Sequence, residues 1–361
     1  MTRSLPIIAF GLLYTFTAYA QLSANSNKSI SANSYSSSSS NSASAKVPSS
    51  ELYTIKVSFS NQESSPKGKS VLKFQSLLET RSGGRVKVQV HPFSKLLKEQ
   101  NEFEALQLGI TDIIIPNTSK VANDLGIDEY QMFDLPFLFT GREAFSKFLK
   151  SDTNAQLLKR VNEKNKLLTA VTFWGNGLRG ISSQKPIVKL EDFKGLTIAL
   201  QYSEPSVRSF QLLGAQSVKI AESDLNQGFV RKIGDKRIDA SDNTMSNFNF
   251  YNLYEHQKYF VNTGHAYSVY VVLANEKKLK TLPEDIQKMV IQTLEDVQTY
   301  HQEIADEDNL KSAAIAKDNK VAVLEFNDND KKNLRDRLIP VHEAFVREHK
   351  ELMTKVYEAL K

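Results

Sequence analysis

The sequence has no cysteine among its 361 residues. That absence excludes disulfide bonds, thiolate metal sites and a cysteine nucleophile. It also excludes a lipoprotein-type lipid anchor, which is attached to a cysteine. The sequence also has only a small excess of positive charge. It contains 46 Lys and Arg residues and 41 Asp and Glu residues, which gives a formal net charge of +5. Such a small excess does not by itself indicate nucleic-acid binding.

What is present is the composition of an ordinary soluble globular protein, with 40% hydrophobic and 24% charged residues. Global disorder and collagen-like structure are therefore excluded. A chain of this length predicts two domains, or one large domain.

The N-terminus has the pattern of a secretory signal peptide. Residues 1–20 start with Arg3, continue through the apolar run 7–16 and end in Ala18-Tyr19-Ala20, an A-x-A cleavage pattern. The run is too short for a membrane anchor, which needs ~20 apolar residues. Residues 21–50 follow as a Ser-rich tract with too few apolar side chains to fold, and we expect a flexible leader. A glycosylated stalk is the alternative. The mature chain is expected to be exported.

From residue 51 onwards, short apolar strands alternate with helices. Strands are predicted at 53–59, 86–90, 113–115, 167–173, 196–200, 217–220 and 267–273, and helices from Pro66 to Gly83, at 103–107 and at 207–213. A long helix begins after Pro283. A second helical run from about residue 330 contains Pro340, which should kink or split it. This order of elements predicts a parallel or mixed α/β sheet.

One glycine-rich segment, residues 175–180, matches the dinucleotide-binding pattern G-x-G-x-x-G and follows a predicted strand. A dinucleotide site also requires a helix that opens at the glycines, so that its amide groups face the pyrophosphate. Here the chain continues as Ile-Ser-Ser-Gln-Lys-Pro, which is β-branched and turn-like. We therefore interpret the segment as a turn that places Arg179.

The sequence contains no recognisable catalytic or metal-binding motif. Its six histidines lack a compact ligand spacing such as H-E-x-x-H, and no cysteine completes a zinc set. G-x-S-x-G is absent as well. Carboxylates such as Glu191 and Asp192 are typical of loops and helix starts, although an unrecognised acid/base pair stays open as an alternative. The sequence predicts neither a metal nor a cofactor.

The segment FDLPFLF at 133–139 resembles a motif of the periplasmic solute-binding proteins of TRAP transporters, tripartite importers driven by ion gradients. Further segments stand in the order of that family and together cover about residues 51–361: SGGRVKVQVHPFSKL at 82–96, EALQLGITDI at 104–113, WGNGLRGISSQKPI at 174–187, LEDFKGLTI at 190–198, LLGAQ at 212–216, YEHQKYFVNTGHAY at 254–267 and LPEDIQ at 282–287.

The resemblance implies a two-lobed α/β periplasmic binding protein fold. Hinge strands near 174–177 and 267–270 would join the lobes, and the helix after Pro283 would be the long helix that crosses both. The implied first lobe contains residues 51–176 and 269–308, and the implied second lobe residues 177–268 and 309–361. In this family the lobes close over one small organic acid, which is delivered to a membrane permease. The implied location is the periplasm, and the implied role involves no enzymatic activity.

Carried over to this chain, the family's ligand site is incomplete. Arg179 matches an arginine that helps bind the ligand carboxylate, and Asn243 matches an asparagine in a segment that usually reads D-G-x-E-N. The family's principal carboxylate-clamping arginine falls at Ala199. A charged hydrogen-bonded pair of this kind contributes about 1.5–3 kcal/mol, whereas micromolar binding totals about 8 kcal/mol. Weaker carboxylate binding is therefore expected unless another group replaces the arginine.

Three explanations stay open. Another cation, Arg208 or Lys120, reaches the ligand; Arg179 alone holds the acid; or the ligand has no carboxylate. If Glu222 lines the cleft, it favours an amine or a hydroxyl-rich ligand. Trp174 is a candidate wall of the site, although a core position is the favoured interpretation. The full predicted ligand-binding set is Arg179, Asn243, Trp174, Asn117, Glu222, Ser203 and Arg208.

The main prediction is therefore an exported solute-binding subunit of a TRAP-type importer, which captures a small organic acid or a related polar metabolite. Its partners would be that ligand and the permease subunits, with no nucleic acid. One alternative is a degenerate family member that acts as a sensor or binds a ligand without a carboxylate. The others are an exported enzyme of unrecognised mechanism and a surface or adhesion protein, which would explain the Ser-rich leader but not the order of the motifs.

Overall fold

The computed structural model describes residues 51–93, 95–96, 99–201, 203–220, 224–230 and 237–361. The predicted signal peptide and Ser-rich leader lie outside the described residues, and so does Glu222.

In the described residues, β-strands and α-helices alternate, and each predicted strand and helix is present. The strands are β1 (Tyr53–Ser58), β2 (Val86–His91), β3 (Ile113–Ile114), β4 (Leu168–Ser183), β5 (Thr197–Leu200), β6 (Gln216–Lys219), β7 (Ala240–Thr244), β8 (Tyr259–Val261), β9 (Tyr267–Asn275) and β10 (Ala322–Leu324). The helices are α1 (Pro66–Arg81), α2 (Glu102–Gln107), α3 (Thr118–Leu125), α4 (Arg142–Leu149), α5 (Asp152–Lys164), α6 (Glu204–Leu212), α7 (Leu225–Val230), α8 (Met245–Phe250), α9 (Glu276–Thr281), α10 (Glu284–Asp318), α11 (Asp328–Glu348) and α12 (Lys350–Leu360).

The strands form one mixed sheet in the order β2-β1-β3-β9-β4-β7-β5-β6, with β8 on β4 and β10 on β8. β1 runs parallel to β2 and β3, and β5 runs parallel to β6 and β7. β9 is antiparallel to β3 and β4. The first lobe contains the half of the sheet from β2 to β9, the second lobe contains the half from β7 to β6, and β4 belongs to both. This is the two-lobed α/β architecture that the sequence predicts.

Strand β4 connects the two lobes. Up to Leu178 it pairs with β9, and from Arg179 onwards it pairs with β7 and β8. The prediction of a turn at 175–180 is therefore wrong, because the strand continues through the segment with an irregularity between Gly175 and Gly177.

The glycines of this segment allow close approach between strands. A Cβ atom at Gly175 would lie 2.7 Å from the ring of Tyr267, and one at Gly180 would lie 2.4 Å from the ring of Phe260. Gly177 also has φ +102°, which side chains other than glycine rarely adopt. The G-x-G-x-x-G pattern thus reflects packing where the two halves of the sheet meet, not a phosphate-binding turn.

Helix α10 crosses both lobes. It packs against α1 in the first lobe, against β4, and against α8 and β10 in the second lobe. With 35 residues it is about 52 Å long at about 1.5 Å per residue. The predicted lobe boundaries stay a prediction. The prediction assigns both α11 and α12 to the second lobe. Of these, α11 packs against α6 of that lobe, whereas α12 packs against α4 and α5, which the prediction assigns to the first lobe.

Pro340 does not split the last helical run, and the predicted kink there stays a prediction. α11 continues through Pro340, and the chain leaves the helix only at His349, which has φ −124° and ψ 43°. A proline removes the donor for the carbonyl four residues earlier. Pro340 and Asp336 are both exposed, so water can bond that carbonyl and the helix can continue.

Most of the segment FDLPFLF is buried in the core of the first lobe, whereas Phe137 is half-buried and packs against the apolar cluster of the second lobe. Phe133 packs against Phe173 at a ring-centroid distance of 4.8 Å and stacks on Phe139 at 6.0 Å. Leu135 is buried in the same cluster. These apolar anchors on both sides of Asp134 fix the backbone there, and the Asp134 carboxylate lies between the two lobes.

A buried histidine lies under the sheet, where α10 passes the first lobe. His301 stacks on Trp174 at a ring distance of 5.0 Å, and its Nδ1 atom is 2.9 Å from the Ser70 hydroxyl. Burial lowers the pKa of His301 to about 3, and the positive charge of Lys67 acts in the same direction. The histidine is therefore neutral in the folded protein at neutral pH.

This depressed pKa predicts a loss of stability in mild acid. Between the folded pKa of about 3 and the unfolded value of about 6.5, the unfolded chain binds a proton that the folded chain does not. We expect His301 to lower the free energy of unfolding by about 2 kcal/mol from pH 6.5 to pH 5. Urea denaturation at both pH values measures this, and His301→Gln should remove that part of the loss. The same loss in wild type and variant would contradict the assignment.

Candidate functional site

The strands of the two lobes end beside the same interlobe space. β1 and β3 of the first lobe are followed by α1 and α3, and β5 and β7 of the second lobe are followed by α6 and α8. In open α/β sheets, ligands bind outside the carboxyl ends of the strands. Side chains beyond these ends connect the lobes: Asn61 Nδ2 donates to Tyr251 Oη at 3.4 Å, and the Glu204 N–H donates to Gln131 Oε1 at 3.2 Å.

All four of these helices begin with a polar cap, and in α8 the cap is Thr244, which accepts from the Asn247 N–H at 3.2 Å. Ser65 accepts from the Gly68 N–H at 3.1 Å in α1, Asn117 accepts from the Ser119 N–H at 2.9 Å in α3, and Ser203 caps α6. The first turn of a helix carries partial positive charge on its N–H groups. Helix N-termini of this kind favour an anionic ligand.

Arg179 is the centre of a buried ionic cluster. Its guanidinium donates to Asp242 Oδ2 at 2.9 Å and to Gln201 Oε1 at 3.0 Å, and it lies 3.7 Å from Asp134 Oδ1. Arg179 and both aspartates are each 4% exposed. The guanidinium is thus held by two carboxylates of its own chain, one from each lobe.

The two aspartates differ in their ionisation. Burial raises the pKa of Asp134, although Arg179 and the Ser119 hydroxyl, which donates at 2.6 Å, oppose the shift. Burial acts on Asp242 as well, but the charges of Arg179 and His265 outweigh it and hold the pKa of Asp242 below its usual value. The Arg179–Asp242 pair is therefore the firmly ionised pair of the cluster.

Asn243 and Ala199 lie on the opposite face of the second-lobe sheet from Asp242. Successive side chains of a strand alternate between faces, and Asn243 Nδ2 donates to the Ser241 hydroxyl at 2.9 Å on that other face. Ala199 pairs with Ser241 in the register of β5 and β7 and packs in an apolar cluster that includes Phe248. The structure therefore separates the Asn243 side chain from the Arg179 cluster.

The side-chain amide of Asn117 has a hydrogen-bond donor for which the protein supplies no acceptor. Its Oδ1 atom accepts from both the N–H and the hydroxyl of Ser119 at 2.9 Å. Its Nδ2 atom is buried and has no hydrogen-bond partner. An unpaired buried donor costs about 1–3 kcal/mol, so a ligand acceptor at this atom would stabilise the bound state.

Ser203 lies in the Arg179 cluster. It is fully buried at the start of α6, its hydroxyl donates to Ser206 Oγ at 3.0 Å, and it opposes the rise that burial causes in the pKa of Asp134. Trp174, by contrast, is a core residue stacked on His301.

The other predicted cations lie elsewhere. Arg208 is half-buried and lines a separate cavity of ≈ 120 Å³ together with Asp128 and Glu348. Lys120 pairs with Asp124 and lies over the ring of Phe103 at 4.7 Å.

Sequence reasoning missed Lys67. Among the lysines and arginines that the structure describes, Lys67 and Arg179 are buried. The Lys67 ammonium lies 3.7 Å from the ring centroid of Tyr270, whose hydroxyl accepts from Asn176 Nδ2 at 3.2 Å. The available signal was weak: a lysine between Pro66 and Gly68 in the first turn of a helix.

Within the described ranges, no cluster of three or more His, Asp or Glu side chains could hold a metal ion. A search of the same residues finds no helix long and apolar enough to cross a membrane.

Comparison with known proteins identifies the family. The profile of the bacterial extracellular solute-binding proteins, family 7, matches residues 57–349. The chain belongs to this family. Family 7 proteins are the solute-binding subunits of TRAP importers and work with membrane permease subunits, as the sequence motifs of this chain predict. The relatives named below are binding proteins and not enzymes.

Comparison with individual proteins of family 7 supports the same assignment. The chain is 30% identical to the C4-dicarboxylate-binding periplasmic protein DctP of Rhodobacter capsulatus over 297 residues, 81% of this chain and 86% of the relative. It is 32% identical to the protein of that name from Shewanella loihica over 251 residues, covering 70% and 72%. A solved TRAP solute-binding protein of Shewanella oneidensis with bound succinate superposes with a TM-score of 0.79 at 27% identity, covering 86% of this chain and 100% of that one.

The Arg179 cluster predicts a large stability effect. Removing the cation leaves two buried carboxylates without compensation, so we expect Arg179→Ala to lower the free energy of unfolding by about 3–5 kcal/mol in the absence of ligand. Urea denaturation at neutral pH measures this. Asp242→Asn combined with Arg179→Met should recover most of the loss, because neither charge is then left alone.

The control is a solvent-exposed pair on the first lobe, Arg85 with Asp285. Arg85→Ala should lower the free energy of unfolding by about 0–1 kcal/mol. Equal losses of unfolding free energy in the Arg85 and Arg179 variants would show that the Arg179 cluster is not buried as described.

Proposed function

We propose that this TRAP solute-binding protein captures a small organic acid between its lobes, with C4-dicarboxylates as the first candidates. The support is the charge and hydrogen-bonding character of the interlobe surface. Two buried cations, four capped helix N-termini and the unpaired Nδ2 atom of Asn117 all favour an anion with several acceptor oxygens. The relatives from Rhodobacter and Shewanella loihica are named for C4-dicarboxylate binding, and the solved relative from Shewanella oneidensis holds succinate.

The proposed mechanism is closure without bond chemistry. Ligand that binds the closed form more tightly than the open form shifts the equilibrium between them. Contacts across the lobes would form on closure, and Glu204 with Gln131 and Asn61 with Tyr251 are such contacts. The closed protein would then deliver its ligand to the permease. The chain would act in the periplasm after export by way of residues 1–20.

The residues proposed to surround the ligand are Asn117 from the first lobe and Ser203 and Arg179 from the second, whereas the side chain of Asn243 lies on the other face of the sheet. Arg179 would act from a fixed position, because Asp242 and Gln201 orient its guanidinium. Asn117 is the residue whose role can be tested without disturbing the fold, since an aspartate in its place would still cap α3.

Asn117→Asp replaces the unpaired donor by a negative charge at the same position. We expect wild-type protein to bind succinate or malate in isothermal titration calorimetry, and the variant to bind at least about tenfold more weakly, a loss of about 1.4 kcal/mol. The new charge is buried near Asp134, so we expect a lower melting temperature for the variant, and both titrations are made well below it.

The matched control is Asn327→Asp, the same change at the exposed N-cap of α11. It should leave the binding of both acids unchanged. If wild-type protein binds neither these acids nor sugar acids, but binds an amine or a neutral sugar, the proposed ligand class is wrong. If Asn117→Asp binds succinate as wild type does, Asn117 is not part of the site.

A further inference from the structure

One end of the first lobe lies far from the interlobe space. β3 and β9 pair antiparallel, with Ile113 opposite Ala274, so the chain enters β3 at the end of the sheet where it leaves β9. β4 begins at the same end, because Leu168 is opposite Asn275. The nine residues of β9 separate this end from the junction of the lobes by about 30 Å, at about 3.3 Å per residue.

Three aliphatic side chains are exposed at this end. Leu108 is 69%, Leu167 is 49% and Ile110 is 45% exposed. Asn275 Nδ2 donates to a carbonyl in the last turn of α2 at 2.5 Å, and the next residue, Glu276, donates its N–H to the Leu167 carbonyl at 2.9 Å. The three side chains therefore belong to one small region. A single exposed leucine is common on protein surfaces, whereas a group of them indicates a binding surface.

Exposed lysines accompany these aliphatic side chains. Lys166 directly precedes Leu167, and Lys277 and Lys280 lie on α9, whose first residue is Glu276. Lys280 pairs with Glu276 at 2.9 Å. Among the residues that the structure describes, Lys166 and Lys277 form no salt bridge, so their charges are available to an external partner.

Two further lysines add to the positive charge of this end. Lys56 Nζ lies 3.5 Å from the Ile110 carbonyl. Lys56 and Lys278 both oppose the rise that burial causes in the pKa of Asp112, so both lie near that carboxyl. Asp112, Glu276 and the exposed Glu104 of α2 offset only part of the charge of the five lysines.

We propose that this end of the first lobe binds the anionic surface of a lipid membrane. The surface is called the distal patch and comprises Leu108, Ile110, Leu167, Lys166, Lys277 and Lys280. Its aliphatic side chains would enter the headgroup region, and its lysines would contact lipid phosphates. Exposed apolar area and positive charge together favour this partner, whereas an acidic protein surface would attract the lysines but give the aliphatic side chains no apolar layer.

Binding through the distal patch would leave the interlobe space open to solvent. The protein would then capture its ligand while it is held at the membrane that carries the permease. This role goes beyond the proposed ligand binding and does not depend on which ligand is bound.

Co-sedimentation with lipid vesicles at low salt tests the proposal. The protein should lack residues 1–20, because the apolar run of the predicted signal peptide would itself bind lipid. We expect wild-type protein to sediment with vesicles of phosphatidylglycerol and phosphatidylcholine in equal parts, to stay in solution with phosphatidylcholine alone, and to be released by high salt. Lys166→Glu combined with Lys277→Glu should lower the partition coefficient for the anionic vesicles at least about tenfold, since each lysine near an anionic surface adds to the attraction.

The matched control is Lys219→Glu combined with Lys317→Glu, the same change of charge at exposed lysines of β6 and of the end of α10. This variant should sediment as wild type does. Equal losses in the two double variants would overturn the distal patch, and so would wild-type protein that stays in solution with anionic vesicles. Binding to polyglutamate but to no vesicle would overturn the membrane as the partner and favour an acidic protein. Both double variants should bind succinate or malate as wild type does, so each of these failures leaves the proposed function intact.

A second measurement tests whether the aliphatic side chains enter the lipid. The chain has one tryptophan, the buried Trp174, so a tryptophan added at the surface is observed against a constant background. The emission of Leu108→Trp should shift to shorter wavelength when anionic vesicles are added. Leu310→Trp, at a position of α10 that is 77% exposed, should show no shift. An unshifted Leu108→Trp spectrum with the protein bound to vesicles would overturn the proposal.

Discussion

The ion pair between Arg179 and Asp242 lies where the two halves of the sheet meet, and much of the interlobe surface depends on it. Arg179 is the first residue of β4 that pairs with the second lobe, and its guanidinium also approaches Asp134 of the first lobe. A buried pair of this kind costs desolvation energy and is destabilising when either partner is lost. The cluster therefore fixes the geometry at the junction of the lobes, and it leaves Arg179 with less capacity for an external carboxylate than its family position implies.

This arrangement explains how the chain can belong to a family of acid-binding proteins without the family's clamping arginine. Ala199 packs in an apolar cluster, so position 199 carries no unpaired buried charge. The proposed ligand contacts are instead Asn117 in the first lobe and Ser203 with Arg179 in the second lobe. A ligand held from both lobes couples binding to closure. Differential affinity for the closed form is all that such a shift of population requires.

The sequence predicted most of the fold, because its signals are local. Pro66 and Gly83 delimit α1, and the apolar alternation of β1 and β2 needs no distant partner to be recognised. The glycines at 175–180 were misinterpreted because their function depends on Tyr267 and Phe260, which lie far along the chain. The site was harder for the same reason. The sequence identified Arg179, but its partner Asp242 is 63 residues away, and nothing local shows that Lys67 is buried against Tyr270.

A crystal structure of the protein with succinate would test the central claim most directly. The account predicts succinate between the lobes, with one carboxylate within hydrogen-bond distance, about 2.7–3.2 Å, of Asn117 Nδ2 and with the Arg179–Asp242 pair unchanged. Succinate bound elsewhere, or between the lobes but out of contact with Asn117, would contradict it.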